Sequence, residues 1–176
     1  MQLETPRLLL RPLRGEDAPQ VYAYASQPQV GPSAGWKPHE SLAETQQVMR
    51  DRLLAQEDFF AVTLRKGGEV IGSVSLAEDP RRRNPQAKML GYALSASRWG
   101  MGYATEAVQA MLRYAFSDPQ TALVTAYTYP FNRASQHVLE KCGFLREGVL
   151  RRCERRFDGV VLDCVGWSLL RGEYGV

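Results

Sequence analysis

The sequence predicts an α+β fold, a mostly antiparallel mixed sheet of about seven strands with flanking helices, and three observations carry that prediction. Short runs rich in β-branched, leucine and aromatic residues recur between turn segments such as Lys66-Gly67-Gly68-Glu69, as strands do. A 3.6-residue period places Ala104, Val108, Met111, Leu112, Ala115 and Phe116 on one face of a helix. No repeat, low-complexity tract or linker divides the 176 residues. A chain of that length buries about 68–70% of its unfolded surface in one core, so 1–176 reads as a single domain.

In chain order, a strand at 8–13 leads to a helix after Gly15 that runs through about Ala25, then a Pro/Gly-rich loop and a helix over about 41–56. Strands at 59–64, 70–76 and 89–94 follow one another, the first two joined by the turn at 66–69. A helix at 104–117, a strand at 123–128, a short helix over about 134–142 ending at Gly143, and a strand pair around Asp158-Gly159 complete the series.

Several classes are disfavoured. No apolar run approaches the roughly 18 residues that span a bilayer, and the opening residues, with Glu4 and Arg7 among short apolar pieces, do not read as a signal peptide. A cytoplasmic protein without a membrane partner is expected. The net charge is only +3, and apart from Arg81-Arg82-Arg83 and the group Arg151, Arg152, Arg155 and Arg156 the arginines are scattered, so no nucleic-acid partner is expected. The triple arginine reads as a solvated turn or as a contact for a phosphate or an acidic partner. Cys142, Cys153 and Cys164 form neither a complete disulfide framework nor a metal-ligand spacing, and no metal is expected.

The most specific feature is Trp99-Gly100-Met101-Gly102-Tyr103-Ala104-Thr105, where a glycine pair lies between the strand at 89–94 and the helix. Glycines there admit close approach to backbone N–H groups, and the unpaired N–H groups of the first helical turn attract an anion. The pair equally suits a tight strand-to-helix turn. A dinucleotide fingerprint would need glycine where Thr105 stands, and a Walker loop would need a lysine, absent between Lys88 and Lys141.

With these residues the chain resembles the GCN5-related N-acetyltransferases, and within them the Rim-type branch that acetylates the N-termini of ribosomal proteins. The similarity rests on the loop at 99–104, on the block from Asn132 through Ser135 to Glu140, Lys141, Gly143 and Phe144, and on the opening strand from Leu3 to Leu13. Trp99 stands where the wider family has Gln or Arg. The resemblance implies acetyl-CoA as cosubstrate, held by Leu94, Trp99, Gly100, Met101, Gly102, Tyr103, Ala104, Thr105, Asn132 and Ser135. It implies an amine acceptor: the N-terminus of a protein or peptide, with small amines and aminoglycosides as alternatives, and it allows a homodimer. A non-catalytic acyl-CoA sensor is the competing reading from another class.

Acetyl transfer needs a group to take the amine proton, N–H groups to meet an oxyanion, and a donor for the departing sulfur. The resemblance implies Ser135 as that donor, backbone near Tyr92 to Leu94 as the oxyanion site beside a splayed pair of strands, and Glu154, 19 residues beyond Ser135, as base. Ser135 also fits plain helix entry behind an Asn132 N-cap. Hairpin arithmetic points to Glu154 as well: a two-residue turn at Asp158-Gly159 sets Glu154 opposite Asp163 and Cys153 opposite Cys164, and facing carboxylates raise one pKa. Alternatively Arg152 and Arg156 neutralise Glu154 in a surface ladder, and a loop that includes Phe157 shifts the register by one residue. Trp36, Tyr92 and Asp163 are expected on the acceptor side, with Trp36 as lid or packing anchor and Tyr92 facing core or ligand. Glu106 is expected to support the start of its helix.

Overall fold

The structure, a computed structural model, describes residues 1–175. Among them, β1 (Leu3–Glu4), β2 (Leu8–Pro12), β3 (Phe59–Leu64), β4 (Val70–Glu78), β5 (Ala87–Leu94), β6 (Leu123–Thr128), β7 (Leu145–Arg155) and β8 (Val161–Leu170) form one sheet. Its order is β1-β2-β3-β4-β5-β6-β8-β7. Every neighbouring pair is antiparallel except β5 and β6, which run parallel. The helices are α1 (Ala18–Ala25), α2 (Gly31–Ala34), α3 (Leu42–Val48), α4 (Tyr103–Ser117) and α5 (Arg133–Lys141).

The sheet lies between two helical layers because its strands bury both faces. On one side α4 sets Val108, Met111, Leu112, Ala115 and Phe116 against Leu8, Leu10, Phe60, Val62 and Val124, all buried, and α5 adds Leu139. These are the periodic residues of the sequence apart from Ala104, which is half-buried at the helix start. On the other side α1 and the end of α3 pack Val21, Tyr24 and Met49 against Ala61 and Val70. The helix at 41–56 is correct in place but changes character: Ser41 caps it by accepting from the Glu44 N–H, and from Met49 to Leu53 it widens into a π-helical segment.

Entry to α1 depends on a buried ion pair. Asp17 accepts from Arg11 Nη1 and Nη2, both at 2.7 Å, and from the Arg14 N–H at 2.9 Å. Burial alone would raise the Asp17 pKa, and these hydrogen bonds outweigh it, holding the carboxyl below its ordinary value.

The two-residue strand at 3–4 brings the strand number to eight, and α2 occupies the loop at 27–38; neither is long enough to leave a periodic signal. The last hairpin corrects the arithmetic. Glu154 pairs with Leu162 and Arg155 with Val161, while the Arg156 N–H bonds to the Val160 carbonyl, so Phe157, Asp158 and Gly159 all belong to the loop. Gly159 takes φ +84°, the left-handed residue that closes a three-residue hairpin. Further along, Leu150 pairs with Cys164, so Arg151, Arg152 and Cys153 bulge opposite Asp163 alone, with Arg152 at φ +50°. Glu154 therefore does not face Asp163, and Cys153 is not the cross-strand partner of Cys164, though its side chain in the bulge still reaches the Cys164 thiol. Side chains alternate along β8, so Glu154, paired with Leu162, stands on the opposite face from Asp163.

Candidate active site

The site is a gap in the sheet. β5 and β6 pair only from Ala87 with Leu123 to Met89 with Thr125, and beyond that point they separate. In an antiparallel pair every second residue turns its N–H and C=O away from its neighbour, so the second half of β5, bonded to β4 alone, presents unpaired backbone groups to the gap. The pairing of β4 with β5 is unbroken from Gly72 and Leu94 to Glu78 and Lys88, so Gly91 sits in a regular strand and not a bulge. The gap opens into a cleft of about 550 Å³ lined by β5 from Leu90 to Leu94, by Ala126 to Thr128, by the loop before α4 and by α5.

One wall is the glycine loop. Gly100 and Gly102 have φ +74° and +79°, a conformation that side-chain-bearing residues adopt only with strain. Gly102 is the N-cap of α4, and no side chain caps that helix, so the N–H groups of its first turn are open where Tyr103, Ala104 and Thr105 line the cleft. The loop is tied down from the far end of the chain. Arg7 Nη1 donates to the Met101 carbonyl at 2.8 Å and its guanidinium lies 4.4 Å over the Tyr103 ring. Glu106 accepts from Thr5 Oγ1 at 2.6 Å, the Arg7 N–H at 2.8 Å and Arg7 Nε at 2.6 Å. Burial raises the Glu106 pKa less than these bonds lower it, so it stays ionised as the support its position predicts. Trp99 lines the cleft and donates Nε1–H to the Leu94 carbonyl at 2.9 Å, whereas the Met101 side chain points outside the lining.

The opposite wall is the start of α5. Asn132 Oδ1 accepts the Ser135 N–H at 3.1 Å as N-cap, and Asn132 Nδ2 donates to the Ser33 carbonyl at 3.1 Å, joining α5 to α2 across the cleft. Ser135 is at the wall, its Oγ 2.7 Å from the Tyr92 hydroxyl. Arg133, His137 and Lys141, spaced by four residues on one stripe of α5, join Arg98 as basic lining. That spacing stands in the sequence and was open to reading, as Phe131 at the mouth was not. No Asp or Glu lines the cleft among the described residues.

The remaining expected residues lie off the lining. Trp36 packs beneath Gly31 and 5.6 Å from the His39 ring, on the α1 side of the sheet. Asp163 accepts the Arg152 N–H at 2.7 Å within the bulge. Glu154 Oε2 accepts from Arg81 at 2.5 Å, and Arg81 itself lies 4.5 Å over the ring of Tyr127, a lining residue. The pairings of β6 and β7 with β8 put Tyr127, Gly166, Cys164, Leu162 and Glu154 on one face. Arg82, the next member of the basic triplet, bonds Glu147 and lies 3.5 Å from buried Asp79, so Arg81 and Arg82 brace the β4–β5 loop against β7.

A split parallel pair beside a glycine-opened helix is the architecture of an acyl-coenzyme A transferase. The acetyltransferase (GNAT) domain family matches residues 7–145, and the chain belongs to that family. The uncharacterized N-acetyltransferase p20 of Bacillus licheniformis is 32% identical over 176 residues, covering 98% of this chain and 97% of its own. The fold is shared with ribosomal-protein-S5-alanine acetyltransferase from Vibrio fischeri, TM-score 0.79 at 23% identity with both chains covered in full. It is shared too with AAC(6')-Ib in complex with ribostamycin and coenzyme A, TM-score 0.75 at 23% identity over 94% of each chain.

The protein is an acetyl-CoA-dependent acyltransferase. Its residues fit that cosubstrate: open N–H groups at the α4 terminus suit a diphosphate, and Arg98, held by Glu69 at 2.5 Å, lies in the same lining. No helix is long and apolar enough to cross a membrane, and no group of three or more His, Cys, Asp or Glu is placed to hold a metal, both among the described residues.

Proposed function

We propose that the chain acetylates the N-terminal amine of a protein or peptide. The observation that carries this reading is the charge of the cleft, whose lining holds Arg133 and Lys141, with Arg98 paired to Glu69 and His137 beside them, and no carboxylate. Aminoglycosides carry several ammonium groups, which a basic cleft repels, whereas a peptide N-terminus brings a single amine on an otherwise neutral backbone. Homodimerisation and a cytoplasmic location are compatible with this reading and do not enter the argument.

Acetyl-CoA supplies an activated thioester, so the protein's task is to free the amine, hold the carbonyl oxygen and help sulfur leave. Unpaired N–H groups along the second half of β5 support an oxyanion contact between Tyr92 and Leu94. Ser135 Oγ–H is the proposed donor to sulfur: a thiol with a pKa near 8.5 leaves with the help of a weak acid. Glu154 is the proposed base, acting directly or through a water. Its Oε2 is held by Arg81, and Oε1 has no hydrogen-bond partner among the described residues.

Thiol release measured with peptides beginning in Ala or Ser and with a panel of aminoglycosides tests the acceptor. Peptide-dependent release well above that with aminoglycosides is expected, and the reverse order would overturn the reading. Binding of acetyl-CoA without release to any acceptor would instead mark a sensor. Ser135→Ala is expected to lower kcat roughly tenfold or more, and Glu154→Gln about a hundredfold with a flattened rising limb of the pH–rate profile. An unchanged profile removes Glu154 from the mechanism.

A further inference from the structure

Tyr92 lines the cleft and reaches from β5 to the α5 wall: its hydroxyl lies 2.7 Å from Ser135 Oγ and 3.1 Å from the Ser135 carbonyl. The phenol carries one hydrogen, and it has two acceptors to choose between. The carbonyl is the longer contact, and within α5 it is in position to accept the helical N–H four residues on, so the hydroxyl of Ser135 is the better partner. That choice decides where the Ser135 hydrogen points. If the phenol donates to Oγ, the serine's own hydrogen is left to turn into the cleft. If the serine donates to the phenol, that hydrogen is consumed and points away.

We propose that Tyr92 is a positioning residue for departure of the thiol: it donates its hydroxyl hydrogen to Ser135 Oγ, and so aims the Ser135 O–H at the sulfur. The proposal rests on the reading of Ser135 given above. Burial pushes the Tyr92 phenol far above its ordinary pKa, which keeps it protonated and able to donate across the neutral range. A hydroxyl that accepts one hydrogen bond is polarised into a better donor of another. In the transfer, a bond forms between the acceptor nitrogen and the acetyl carbon while the carbon–sulfur bond breaks and its electron pair stays on sulfur. Ser135 meets that charge with its O–H, and the proton lost by the amine balances the one that finally reaches the thiol. The Tyr92 hydroxyl touches no reacting atom.

The test uses the full chain with Tyr92→Phe, which keeps the ring and removes one oxygen. Its kcat should fall about tenfold, equivalent to about 1.4 kcal/mol, with the KM for acetyl-CoA unchanged. The same loss should vanish in a Ser135→Ala background, since Tyr92 acts only through that hydroxyl. A second readout needs no turnover: the thiol of bound coenzyme A, titrated by its thiolate absorbance, should have a higher pKa in Tyr92→Phe than in the wild type, matching the shift in Ser135→Ala. A fluorinated tyrosine at 92, a stronger donor of the same shape, should move kcat and the thiol pKa the other way, and it tests the idea even if Tyr92→Phe folds poorly. Losses that add in the double variant, or an unmoved thiol pKa, overturn the proposal. If Ser135→Ala itself changes neither kcat nor the thiol pKa, the reading of Ser135 falls first. If Ser135→Ala lowers kcat and Tyr92→Phe does not, only the role of Tyr92 falls.

Discussion

Asp17→Asn is expected to destabilise the fold by about 3–5 kcal/mol, the cost of leaving a buried cation without its partner. The side chains of Arg11 and Asp17 are 12% and 3% exposed, so little water reaches either charge once the other is neutralised. For a chain of this length the loss corresponds to a fall in Tm of roughly 6–20 °C. The dependence on pH has a definite sign. The folded pKa of Asp17 lies below its ordinary value of 3.8, so the carboxylate's contribution is complete above that value and is lost as pH falls through the lower, folded one. Urea denaturation of both proteins should therefore show the largest separation of midpoints near neutral pH and a narrowing separation in acid. Equal midpoints at pH 7 would show that Arg11 finds water or another partner without cost.

Gly102→Val should weaken acetyl-CoA binding by about tenfold or more while sparing the fold. A β-branched residue at φ +79° carries roughly 1–2 kcal/mol of strain, and the new Cβ would lie 3.3 Å from Arg7 Nη2. The chain can relieve that strain by turning the loop, which takes the N–H groups of the first turn of α4 out of line. A tenfold loss corresponds to about 1.4 kcal/mol, within the strain available. Calorimetric titration with acetyl-CoA checks it directly. Full affinity in a folded variant would mean that the loop does not hold the diphosphate.

The elements most legible in the sequence are those whose side chains are sorted by burial. α4 shows its buried face because seven of its residues are removed from water at helical spacing, and β3 and β6 match their expected bounds because nearly every residue in them is covered. The glycine loop was legible because positive φ selects glycine at 100 and 102. What escaped depends on pairings between distant segments. Where β5 leaves β6 is a matter of register, which no single strand records. The hairpin erred by one residue because Asp-Gly suits both two- and three-residue loops, and the bulge at 151–153 then moved Cys153 and Asp163 out of their expected places. Tyr92 could have faced either side, since its alternation along β5 is plain but the identity of the helix covering each face is not.

The hold of Arg7 on the Met101 carbonyl, and of Glu106 on Thr5 and Arg7, makes the turn between β1 and β2 part of the ligand site in a thermodynamic sense. Whatever orders the loop at 100–102 must also order residues 5–7, and the linkage is reciprocal. Amide hydrogens of Thr5 and Arg7, about 100 positions from the helix they brace, should exchange more slowly when coenzyme A is present. A bulky tag joined close to Leu3 would be felt as a weaker grip on the cosubstrate, so affinity measurements on this enzyme are best made with the tag at the other end of the chain or removed.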